Sequence, residues 1–155
     1  MMFKRFSRII SIIGGSVGLI AISGLGVEYI AEKQALSRFP APGQLVDVGT
    51  HQLHLNVTGT ANGQPTVILE AGNGGFSTQW IRVQAELSQT MQVVSYDRPG
   101  YGWSEPAPYA VDLTRNAHDL QTALDSMGIA PPYIFVGHSM GGLFNLSYAT
   151  AYPDN

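Results

Sequence analysis

The chain has no cysteine. Disulfides, thiolate catalysis and cysteine-based zinc sites are therefore excluded, while the redox compartment stays open. Charge is scarce as well. Only 12% of the 155 residues are Asp, Glu, Lys or Arg, about half the usual share. The net charge is −3 and no Lys/Arg cluster occurs past the N-terminus. That removes the electrostatic footprint of a nucleic-acid binder, and no nucleic-acid partner is expected. Histidine is limited to His51, His54, His118 and His138. None pair at a helical ligand spacing, and His51 and His54, three apart in a strand-like run, fall on opposite faces. No metal is expected, and no internal repeat or low-complexity tract appears.

Apolar residues make up 45% of the chain and glycine numbers 18, enough for one modest domain with a core. Much of the apolar weight lies at the start. Lys4, Arg5 and Arg8 precede an uncharged run from Ile9 to Val27, about 19 residues and at the lower end of what crosses a hydrocarbon core. Glycines 14, 15, 18, 24 and 26 weaken a soluble helix but are common in membrane helices. The run exceeds the apolar region of a usual cleaved signal. It reads as an uncleaved anchor in preference to a cleaved signal segment, whose cleavage site Ala21-Ile22-Ser23 resembles. Residues 1–8 form a basic flank expected to stay cytoplasmic, with everything after Val27 across the membrane. Residues 28–43, with two prolines and a glycine near their end, read as a linker. The folded domain is expected over 44–155.

Within it, Leu45–Val48 and Leu53–Val57 alternate around Gly49-Thr50 and predict an antiparallel hairpin. Thr66–Leu69 is an apolar strand suited to burial on both faces. A glycine-rich loop, Glu70 to Phe76, leads to helical spacing through Trp80, Val83 and Leu87. Met91–Tyr96 is the next strand, followed by a Gly/Pro-rich loop to Pro108. Leu113, Leu120, Leu124 and Met127 mark a helix, with Asp112 or Thr114 as N-cap and Gly128 as its stop. Tyr133–Val136 is a further strand, and Gly141–Tyr152 a helix stopped by Pro153. A hairpin followed by alternating strands and helices implies an α/β fold, a mainly parallel sheet with helices on both faces. Sites in such sheets gather at the carboxyl ends of the strands.

Gly137-His138-Ser139-Met140-Gly141 sits at such an end. G-x-S-x-G alone is a weak signal, but between a strand and a helix it specifies a sharp turn that lifts the Ser139 hydroxyl above the sheet. Gly137 and Gly141 are needed where side chains would strike backbone, and the helix start directs N–H groups at any anion formed there. The plainer role for Ser139, a helix N-cap, does not require both glycines. An acyl-transfer serine also needs oxyanion donors. The Met140 backbone N–H is one; the other belongs to the 70–75 loop, where Asn73 is favoured and Gly74 comes next. Gly72 and Gly74 would let the main chain approach a substrate.

Three blocks, Leu69–Gly75, Tyr96–Ser104 and Val136–Gly142, resemble the N-terminal half of the α/β-hydrolase superfamily in its serine branch, the esterase, haloperoxidase-like and peptidase-like group. The resemblance covers about Leu45 to Asn155. It implies strand order 1-2-4-3-5-6-7-8, a serine nucleophile after the fifth strand, a small-molecule acyl substrate and no cofactor. The middle block resembles the family's architectural turn, so Asp97 is assigned no catalytic part. Many relatives have His-Gly where this chain has Ala71-Gly72, which alters how the oxyanion loop is braced. The family's order places the acid and the His after Ser139, yet the sixteen residues that follow contain only Asp154 and no histidine. The chain is expected to be a fragment of a membrane-tethered serine hydrolase, inactive alone. The alternative is an inactive anchored interaction or remnant module.

Overall fold

The computed structural model describes the backbone of residues 2–155; within the first helix it describes side chains from Gly14 onward, except those of Val17, Ala21, Glu32 and Leu36. Two compact units form, one reaching Pro40 and one running from Ala41 to Asn155.

The first unit is a single helix, α1 (Met2–Arg38). Its stretch Gly14–Ala35, 22 residues of mean hydropathy 1.4, is long and apolar enough to cross a membrane by length and composition. The side chains of residues 9–13, which open the expected span, and of Lys4, Arg5 and Arg8 lie outside those described. The segment read as a linker is helical as far as Arg38. Glu28 to Arg38 contains no glycine or proline and is rich in Ala, Glu, Lys and Gln, all good helix formers. The helix stops just before Phe39-Pro40, because a proline disfavours helical geometry in the residue before it.

In the second unit, β1 (Gln44–Asp47) and β2 (Gln52–Thr58) form the expected antiparallel hairpin. They are followed by β3 (Thr66–Glu70), a 3₁₀ turn (Ser77–Trp80), α2 (Ile81–Leu87) and β4 (Val93–Tyr96). The unit ends with α3 (Leu113–Ser126), β5 (Tyr133–Gly137) and α4 (Gly141–Ala151). The sheet order is β1-β2-β4-β3-β5, with β3 parallel to both β4 and β5. This is the expected order of the first five strands.

Strand alternation sends side chains to two cores. Ile68, Val94 and Tyr96 meet Ala117, Leu120, Ala123 and Leu124 of α3 and Tyr148 of α4 on one face. Val67, Leu69 and Val93 meet Trp80, Leu87 and Met91 on the other. Asp112 caps α3 by accepting the Arg115 N–H at 2.8 Å, and Gly128, at φ +65°, follows its end. In α2 the inward position is Gln84, not Val83, which is 42% exposed. Gln84 bonds Asn56 O, Thr58 Oγ1 and the Ser95 hydroxyl, so a polar side chain occupies the core-facing stripe. Because β3 and β5 run parallel, both point their carboxyl ends to one rim, which carries the site.

Candidate active site

Between β5 and α4 the backbone turns through Ser139 at φ +53°, the only non-glycine positive φ among the described residues. Such a conformation costs an L-residue about 1–2 kcal/mol and persists only where its surroundings hold it. Here packing does so. A Cβ on Gly137 would lie 2.7 Å from Gly141 C and from Gly142 N, and one on Gly141 would lie 2.5 Å from Glu70 O. These obstacles are backbone, which cannot step aside. Ser139 stands exposed at the tip. After it the chain enters α4 through hydrogen bonds from Gly141 N to His138 O (2.9 Å) and from Gly142 N to Ser139 O (3.0 Å). The Met140 N–H precedes this ladder, at the helix end where amides lack intrahelical acceptors.

The loop after β3 lies against this turn. The His138 N–H donates to Glu70 O at 3.1 Å. The loop closes at Gly72–Gly75 with Gly75 N donating to Gly72 O at 3.2 Å, and Gly74 takes φ +72°. Asn73 and Gly74 are exposed. Gly72 is buried, and a Cβ there would sit 2.8 Å from His138 Nδ1.

Beneath the loop lies a cation that reading the sequence did not single out. Arg98, 5% exposed, pairs through Nη1 with the Glu70 carboxylate. The same nitrogen donates to Ala71 O at 2.6 Å, and Nη2 donates to Gly72 O at 2.6 Å. The guanidinium also stands 4.8 Å from the Phe144 ring of α4. Glu70 receives the Tyr96 hydroxyl on its other oxygen, and Asn116 Nδ2 donates to that hydroxyl at 2.8 Å. Burial pushes the Glu70 carboxyl up to about 7, against the opposing pull of Tyr96 and Arg98. Burial also raises the Tyr96 phenol well above its usual range, with the Glu70 charge adding to it. The available signal was Glu70 itself, an acid closing an apolar strand, which needs a buried partner.

The four histidines do not gather at Ser139. His138 Nδ1 lies 3.2 Å from Gln79 Nε2. His118 is exposed on α3, and His51 is buried 3.7 Å from Asp119. His54 is fully buried against Asp97 at 2.9 Å. Asp97 also accepts the Ser77 and Trp103 N–H groups, which accounts for it as an architectural residue. Among the described residues, no cluster of three or more His, Asp or Glu side chains could hold a metal ion.

The sequence profile of the alpha/beta hydrolase fold family matches residues 65–155, and the chain belongs to that family. It is 38% identical over 103 residues to efuK of Hormonema carpetanum, named as a transporter, covering 64% of this chain and 15% of that one. RutD of Cronobacter turicensis, named for carbamate hydrolysis, is 39% identical over 92 residues, covering 59% of this chain and 34% of RutD. Among solved structures, a thermophilic esterase from Thermogutta terrifontis superposes with a TM-score of 0.62 at 28% identity, over 67% of this chain and 37% of the esterase. The chain thus spans about a third of the length of the latter two.

Proposed function

We propose that the chain carries the nucleophile and oxyanion hole of a serine hydrolase that cleaves small acyl esters or carbamates and is held at a membrane by α1. The observation that carries the reading is the positive φ of Ser139, kept by two glycines at a strand-to-helix turn. Strain of this kind at an exposed hydroxyl has no packing purpose. The esterase and carbamate-hydrolase names of the relatives agree with it.

In this reading the Ser139 oxygen attacks the acyl carbon as a general base takes its proton, and the carbonyl oxygen becomes an oxyanion held by the Met140 and Asn73 N–H groups. Collapse expels the alcohol, protonated by the same base, and leaves an acyl-serine. Water then attacks the acyl carbon and releases the acid. The base and its orienting carboxylate come after Ser139 in the chain order that the resemblance implies. α1 anchors the protein with Lys4, Arg5 and Arg8 on the cytoplasmic side and the hydrolase unit on the other.

The test is fluorophosphonate labelling of the protein in membranes of its source. Labelling that disappears in Ser139→Ala supports the reading. A chain that stays unlabelled beside a reactive control hydrolase favours the inactive anchored module.

A further inference from the structure

The Gly72–Asn73 peptide joins two groups with different partners. Its carbonyl, Gly72 O, accepts Arg98 Nη2 at 2.6 Å. Its N–H is that of Asn73, the donor assigned above to the oxyanion. Among the described residues the only cis peptide is Pro131-Pro132, so this unit is trans. In a planar trans peptide the N–H points opposite to the C=O. Fixing the carbonyl toward a buried cation therefore fixes the N–H toward the rim. A charged donor on the carbonyl also polarises the amide and makes its N–H a stronger donor.

The same guanidinium takes the preceding carbonyl, Ala71 O, at 2.6 Å, so two consecutive peptide planes are held by one rigid fork. Its ion pair with Glu70 keeps it in place from below, and its contact with Phe144 ties it to the helix that begins behind Met140. A lysine could match Glu70 but has no planar fork to span both carbonyls.

We propose that Arg98 is a positioning residue for the oxyanion hole, orienting and polarising the Asn73 N–H through the Ala71 and Gly72 carbonyls. This rests on the reading of Ser139 as nucleophile. It also answers the Ala71-Gly72 departure, since the brace comes from below the loop.

The test compares wild type with Arg98→Lys, each carried by the full protein in membranes of its source. Fluorophosphonate labelling of Ser139 is followed in time, and the final labelled amount is scaled to total protein by antibody. Arg98→Lys should label to the same final fraction about 30- to 100-fold more slowly, the scale set by loss or misplacement of one oxyanion donor. A merely structural arginine would lower the final fraction and leave the rate per reactive site unchanged, which would overturn the proposal. So would equal rates and equal fractions. Glu70→Gln is the second variant, informative even where Arg98→Lys fails to accumulate. It leaves an amide oxygen for Arg98 and keeps both carbonyl contacts, so its rate per site should fall by no more than about fivefold. A loss of about 100-fold would make the ion pair the decisive contact and overturn the proposal. If wild type itself does not label, the nucleophile reading fails, and this proposal fails with it by a separate result.

Discussion

His54 Nδ1 lies 2.9 Å from the carboxylate of Asp97, with both side chains fully buried. The pairing resembles the acid–base half of a catalytic triad, but its other contacts are structural. His54 Nε2 accepts the Gly43 N–H at 3.1 Å, so Nδ1 carries the ring proton and donates it to Asp97. Asp97 holds the turn after β4 through the Trp103 N–H and the 3₁₀ turn through the Ser77 N–H.

Asp97→Asn should therefore weaken the fold rather than the chemistry, by about 1.5–3 kcal/mol as charge-assisted bonds are lost. Burial alone would raise the Asp97 carboxyl, but hydrogen bonds from His54, Trp103 and Ser77 outweigh it and hold the group below its usual 3.8. Its stabilisation is present above that value and lost as pH falls through the depressed one. Thermal melts between pH 6 and pH 3 should show the advantage of wild type over Asp97→Asn shrinking on acidification. A constant or growing gap would contradict the assignment.

Glu70 has the opposite sign. Its folded value, pushed by burial to about 7, lies above the ordinary 4.5. The stability linked to its proton is complete below 4.5 and lost as pH rises through about 7. Relative to Glu70→Gln, wild type should lose stability across that window, measured as the difference in melting temperature at successive pH values. A difference that grows with pH would show the carboxyl to be stabilised in its charged form.

The strain at Ser139 predicts an ordering of variants. Glycine takes φ +53° without penalty and alanine only at a cost, so Ser139→Gly should be more stable than Ser139→Ala by about 1 kcal/mol. Denaturant unfolding of the two proteins checks this. Equal stability would mean that the turn relaxes when the hydroxyl is removed.

Gly141→Ala places a methyl against the carbonyls of Glu70 and Ala71, at 2.5 and 3.0 Å. It should cost about 1–3 kcal/mol, the usual penalty for overpacking. Because the displaced atoms belong to the loop before Asn73, the labelling rate at Ser139 should fall as well. Gly142→Ala, where nothing lies within 4 Å of the added atom, is the matched control for stability.

Much of this was legible in the sequence, for identifiable reasons. The strands were marked by short apolar or alternating runs, and Asp112 and Gly128 bracketed α3 because capping and left-handed geometry restrict residue choice. The Gly137–Gly141 turn was legible because its glycines answer to clashes only that turn creates. Gln84 was hidden because apolar spacing finds apolar stripes, and its neighbours Asn56, Thr58 and Ser95 are brought together only by the sheet. The reach of α1 to Arg38 was masked by the prolines at 40 and 42, which end the helix without marking where its last turn lies. Arg98 was missed because its partners, Glu70 to Gly72, are 26 to 28 residues away. Parallel strand pairing alone makes them neighbours.

The most direct measurement is to treat membranes of the source with a fluorophosphonate, isolate the protein, and map the adduct by peptide mass spectrometry. A single adduct is expected, on the peptide that contains Ser139. An adduct on another serine, or none while other serine hydrolases in the same membranes react, would contradict it.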